Sequence, residues 1–166
     1  IQNTLLEYVQ NILENAKKLP RPVWNALMAA ARRPPCFIKG LLLPLSTELQ
    51  VTMKEARIIS AIVTKVKLPR DHMNALLIKI CDNPFSTIRT IFVSKLVSKG
   101  QALAIQAIDA VFSYFMQFIG EDEPQPLLWH KALLDFVKKY GCELTYEQRD
   151  ALEPLLQKHK HDQITK

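Results

Sequence analysis

The 166 residues are 48% apolar and 23% charged, the composition of a folded domain large enough to bury a core without disulfides or a structural metal. Four glycines are few for a β protein built on tight turns, or for an enzyme that cradles phosphate in a glycine-rich loop. The net charge of +6 excludes an acidic, disordered chain and favours a polyanionic partner.

In chain order, a helical period of 3.6 recurs and strand alternation is nowhere sustained. Leu5, Leu6, Val9, Ile12, Leu13 and Ala16 form a first apolar stripe that Pro20 closes. Pro22 suits a first helical turn, and Val23, Trp24, Leu27, Met28 and Ala31 carry a second stripe to Pro34 and Pro35. The apolar run from Phe37 to Leu43 predicts a buried turn or two that Pro44 terminates. Thr52 and Glu55 make a capping box, in which hydroxyl and carboxylate satisfy two orphan amides. The helix it opens continues through Ala56, Ile59, Ile62 and Val63 until Leu68 and Pro69.

Met73, Leu76, Leu77 and Ile80 mark the next helix, and Ser86 caps another that ends at Gly100. The longest helix is expected from Ala102 to Ile119, apolar around most of its circumference and hence central to the core. An acidic loop, Glu121 to Pro126, leads into a helix burying Leu128, Leu133, Phe136, Val137 and Tyr140, with Gly141 as its cap. Thr145 and Gln148 form a second capping box, and Pro154 predicts a kink in the helix that follows. The fold class is therefore all-α: a superhelical stack of eight or nine helices of 12 to 18 residues in irregular HEAT- or TPR-like hairpins. No fixed-period repeat is visible.

The charge is unevenly placed. Residues 15–47 carry six basic and no acidic side chains, and residues 15–108 carry 15 basic and 4 acidic ones, a net of +11, whereas residues 109–166 net −3. Lys17, Lys18, Arg21, Arg32, Arg33, Lys39, Lys67 and Arg70, mainly at helix ends and loops, are the candidates to neutralise RNA phosphates. A groove between helical hairpins is a second possibility, accepting a peptide anchored on Trp24, Trp129 or His130. That reading gives a protein–protein adaptor without direct RNA contact.

Chemistry-bearing motifs are lacking: no G-x-S-x-G, phosphate loop, H-E-x-x-H or C-x-x-C occurs. His72 and His130 stand alone, His159 and His161 fall in a tail, and Glu121, Asp122 and Glu123 read as a solvated loop. Cys36, Cys81 and Cys142 fit neither a zinc site nor a disulfide framework, which indicates buried thiols in a reducing compartment. No apolar run approaches the ~20 residues that span a bilayer, and the opening residues lack the blocks of a signal peptide. The start, without methionine and inside a helical pattern, reads as a single domain over residues 1–166 cut from a longer chain.

Several blocks resemble a known family. Pro126-Leu127-Leu128-Trp129-His130-Lys131-Ala132-Leu133-Leu134, with Phe136 and Tyr140, is similar to the bystin signature "LPVLWHKALL…F…RY". Phe37 to Leu45 resembles "FKGFLFPL", Glu55 to Pro69 resembles "REA…AKVSIP", Ile108 to Phe115 resembles "VDALVFHF", and Leu144 to Arg149 resembles "DITQDQR". The blocks keep the family's order along nearly the whole chain. Arg70 to Ala75 and Val97 to Ala104 depart from the "LHSSAA" and "LDKKYALP" of relatives.

The resemblance implies a non-enzymatic assembly factor of the small ribosomal subunit, without cofactor, membrane or small-molecule substrate. It would be needed for processing of the 18S rRNA precursor and for assembly and export of the 40S subunit. Implied partners are pre-18S rRNA, small-subunit ribosomal proteins and other pre-40S assembly factors. The implied location is nucleolus and nucleus, with shuttling to the cytoplasm. Family members also carry a charged N-terminal region ahead of the helical domain.

Overall fold

The computed structural model describes residues 2–16, 18–47 and 51–160, with side chains from Leu6 onward. The regular elements among the described residues are all helices, with no strand. Helix α1 (Gln2–Asn15) buries Leu6, Val9 and Leu13, one apolar stripe at helical spacing. Helix α2 (Arg21–Ala30) has Pro22 in its first turn and buries Val23 and Leu27. Leu5, Lys17, Glu48 and His161 lie outside the described residues or side chains.

Residues 34–47 are helical without a break, as α3 (Pro34–Phe37), a π-helical turn (Ile38–Leu42) and α4 (Leu43–Thr47). Two expectations are corrected here. Pro34 and Pro35 not only stop α2 but open α3, where a missing amide costs nothing because first-turn donors have no intrahelical acceptor. Pro44 does not end the segment. Inside an ordinary helix its ring would clash with the carbonyl four residues back; here the wider π turn precedes it, and the Leu43 amide reaches back to Ile38.

Helix α5 (Met53–Lys65) starts on the expected capping box, with the Glu55 amide donating to Thr52 Oγ1 at 3.3 Å and the Thr52 amide to Glu55 Oε2 at 3.0 Å. Helices α6 (Arg70–Cys81) and α7 (Thr87–Ser98) follow. Ser86 occupies the N-cap of α7, but its hydroxyl makes no capping bond; its carbonyl instead accepts from Thr90 and Tyr114. Gly100, at φ +73°, turns the chain out of α7 in the left-handed region that favours glycine.

Helix α8 (Ile105–Met116) begins three residues later than periodicity suggests and ends in a 3-10 turn, Gln117–Gly120. Tertiary bonds hold Gln101–Ala104 out of the helix. Tyr140 Oη donates to the Gln101 carbonyl at 2.9 Å, Arg70 Nε to that of Ala102 at 2.9 Å, and the Ala104 amide to Asn74 Oδ1 at 3.3 Å. Helix α9 (Leu127–Tyr140) and helix α10 (Tyr146–Lys158) complete the order. The second capping box, Thr145 with Gln148, opens α10, which is helical through Pro154.

With residues 34–47 taken as one unit, the described helices number nine, 10 to 14 residues long, shorter than expected. Alternate helices pack on one another: α7 on both α5 and α9, α8 on both α6 and α10, and α4 on α6 and α7. One continuous core runs from Leu6 to Leu155. Its centre is aromatic, with Trp129 meeting Phe118 at 5.4 Å, Phe115 at 5.8 Å and His159 at 5.4 Å between ring centroids.

The stacked helices are clasped at their C-terminal ends, where the last carbonyls lack intrahelical donors and carry partial negative charge. Among the described residues, a cation from a neighbouring element closes five of these ends. Lys54 Nζ donates to the carbonyls of Leu13, in the last turn of α1, and Ala16, just past it, at 2.8 and 2.6 Å. Lys99 donates to Val63 and Val66 of the α5 end. Lys139 donates to Ser98 at the α7 end at 2.6 Å, and Lys158 to Ile119 at 3.1 Å. Arg89, buried, spans the α4 end through Ser46 and Thr47 at 3.1 and 2.9 Å. Part of the positive charge is therefore structural.

Candidate nucleic-acid interface

The eight basic candidates are not equivalent. Lys18, Arg21, Arg32, Arg33, Lys39, Lys67 and Arg70 are exposed, and Lys17 lies outside the described residues. Among the described residues no carboxylate stands within ion-pair distance of any of the seven; the ion pair found joins Lys158 to Asp122 at 2.8 Å. That pair, with Lys158 also hydrogen-bonded, holds the Asp122 carboxyl below its ordinary range. Arg70 is partly committed, since its Nε holds the Ala102 carbonyl.

Packing brings Arg32 and Lys67 together from different parts of the sequence. Arg32 lies in the turn after α2, and Lys67 between α5 and α6. Both line one cleft of about 140 Å³ with Met28, Ala31 and Val66. Beside it, Lys65 Nζ stands 5.9 Å from the centroid of the half-buried Trp24 ring, a cation–π distance. The chain thus folds two unpaired cations onto one rim, with a third cation and an aromatic face nearby. Sequence reasoning named Arg32, Lys67 and Trp24 separately but missed Lys65, whose signal was its place at the end of α5, two residues before Lys67.

Lys39 belongs elsewhere. It lines a second groove, of about 240 Å³, between the π turn and α6, facing His72 and Lys79. His72, Leu76 and Lys79 recur at i, i+4 and i+7, which puts them on one helical face; that spacing was the available signal for a site not anticipated. A third cleft, about 330 Å³ between α9 and α10, mixes Arg149 and Lys160 with Glu153 and so lacks a field of one sign. The structure does not join Lys18, Arg21 or Arg33 to either basic cleft.

The expected peptide anchors sit differently from one another. Trp24 is half-buried, while Trp129 is 1% and His130 7% exposed. Trp129 fills the aromatic centre of the core, with the His130 ring 5.0 Å away. In this conformation neither can anchor a docked peptide, because large apolar surface sought by a partner has already been withdrawn from water. Of the cysteines, Cys81 is buried as expected, whereas Cys36 and Cys142 are exposed. Among the described residues, no group of three or more His, Cys, Asp or Glu side chains is placed to share a metal, and no helix is long and apolar enough to cross a membrane.

Comparison with known proteins gives a consistent result. The bystin family model matches residues 1–166. Bystin of Drosophila melanogaster is 37% identical over 161 residues, covering 97% of this chain and 37% of that protein. Bystin of Nematostella vectensis is 35% identical over 161 residues, with the same coverage of 97% and 37%. Bystin of Homo sapiens is 34% identical over 161 residues, again covering 97% of this chain and 37% of that protein. The chain therefore spans little more than a third of the length of these relatives. Matched by the family model over every residue and by relatives above 30% identity along nearly its whole length, the chain belongs to the bystin family.

Proposed function

We propose that this chain is a non-enzymatic helical scaffold of small-subunit ribosome assembly that holds precursor rRNA through the Arg32–Lys67 edge. Family membership and the motif resemblance support the setting: processing of the 18S rRNA precursor, and assembly and export of the 40S subunit. The same resemblance supports a nucleolar and nuclear location with passage to the cytoplasm, and ribosomal proteins and assembly factors as neighbours.

The observation that carries the RNA reading is the convergence of Arg32 and Lys67 on one rim with no carboxylate partner among the described residues. Unpaired cations on a helical edge neutralise phosphates and release counterions without reading base sequence. Lys65 and Trp24 beside them add an aromatic face on which an unpaired base can stack. The acidic C-terminal part, residues 109–166, repels phosphate and orients the chain.

Filter binding of the chain to a structured small-subunit rRNA fragment tests this. Log affinity is expected to fall linearly with log salt, with a slope of roughly −2 to −3 if Arg32, Lys67 and Lys65 each neutralise one phosphate at about 0.7–0.9. Affinity no stronger than that of an unrelated protein of equal net charge would refute it.

A further inference from the structure

The groove between the π turn and α6 differs in kind from the Arg32–Lys67 edge. Its floor is aliphatic, made by Ile38 and Leu43 on one wall and Ala75 and Leu76 on the other. Its rim is cationic on both sides, with Lys39 on the π turn and Lys79 on α6. No carboxylate lines it: Asp71 in the first turn of α6 and Asp82 just past its end are not among its walls. The Nδ1 atom of His72, also a wall residue, is enclosed and has no hydrogen-bond partner.

We propose that this groove docks an acidic peptide segment of a protein partner, one aliphatic side chain entering the floor while flanking carboxylates meet Lys39 and Lys79. Three features select this occupant. The volume of about 240 Å³ falls below the ~300–1,000 Å³ of sites for drug-sized molecules and suits one or two side chains. The rim is of one sign and its described cations have no carboxylate within ion-pair distance, so the complementary charge has to come from outside. No Phe, Tyr or Trp lines the groove, and its one ring is the His72 imidazole on the wall, so a base has little to stack on, which favours peptide over RNA. The π turn matters because it widens the helix where Lys39 stands, turning an otherwise continuous helical surface into a wall. This site is independent of the RNA edge, since Arg32 and Lys67 line a different cleft.

The test is fluorescence anisotropy of the whole chain with three labelled synthetic peptides. The first alternates aspartate and glutamate around a central leucine, the second replaces that leucine with serine, and the third replaces the carboxylates with amides. The first is expected to bind, and each replacement to weaken binding roughly tenfold or more, as removing a set of charge-assisted bonds or one buried side chain should. The double variant Lys39→Glu/Lys79→Glu should abolish binding of the first peptide, and Ala75→Trp, at an exposed position of the wall, should block it by filling the groove. Arg32→Glu should leave it unchanged. Circular dichroism and urea midpoints show that the variants are folded, and all three groove positions are exposed. The proposal is overturned if the three peptides bind alike, if neither groove variant weakens binding, or if single-stranded RNA of equal charge displaces the peptide while remaining sensitive to Ala75→Trp.

Discussion

At the scale of single residues, burial decides which side chains act chemically. Burial and the charge of Asp82 push the Cys81 thiol up from 9.0 to about 12. Burial likewise raises Tyr114 from 10.0 to about 12, outweighing its hydrogen bonds with Thr90 and the Ser86 carbonyl. The unfolded chain releases these protons near their ordinary values, while the folded chain keeps them to about 12. Between those limits the folded state binds more protons, so stability falls as pH rises, by about 1.4 kcal/mol per unit for each group. Urea midpoints should accordingly be flat near pH 8 and drop steeply above about pH 10. Cys81→Ala should flatten that drop, whereas Cys36→Ala should not. A native-state thiol titration at pH 8 should label the exposed Cys36 and Cys142 rapidly and Cys81 only on unfolding.

At the scale of elements, local signals were legible where the determinant lies within one turn. Both capping boxes form as the Thr52–Glu55 and Thr145–Gln148 spacings require, and Gly100 turns the chain where its left-handed φ is needed. The departures occur where a neighbour decides. Pro44 lies inside a helical segment because a π turn precedes it, and α8 starts late because Tyr140, Arg70 and Asn74 hold the residues before it. The carbonyl clasps are likewise invisible in sequence, since each joins residues more than 30 positions apart. Thr52→Ala should cost about 1 kcal/mol of unfolding free energy through its cap. Lys99→Met should cost a comparable amount, about 1 kcal/mol, by leaving the α5 carbonyls without their donor. Urea denaturation reads both. Hydrogen exchange should localise the second loss to the C-terminal turn of α5 and to α7, leaving α10 protected as before.

At the scale of the whole molecule, charge is sorted by folding into three uses. Lys54, Arg89, Lys99, Lys139 and Lys158 hold helix ends together. Arg32 and Lys67 form an unpaired edge, and Lys39 and Lys79 rim an aliphatic groove. The lopsided sequence charge raises the expectation of a polyanionic partner, but only packing could separate these uses. The Trp129–His130 string, the part of the chain most easily recognised, is core rather than contact surface. On the proposed function, the Arg32–Lys67 edge is where RNA phosphate binds. Its most direct measurement is the salt dependence of rRNA-fragment binding by the chain, by Arg32→Ala/Lys67→Ala, and by an Arg149→Ala/Lys160→Ala control at the C-terminal hairpin. The first pair is expected to lower affinity and shrink the log–log slope by roughly 1.5, about 0.7–0.9 for each phosphate that is no longer neutralised, while the control leaves the slope within error. Equal slopes for all three proteins would contradict it.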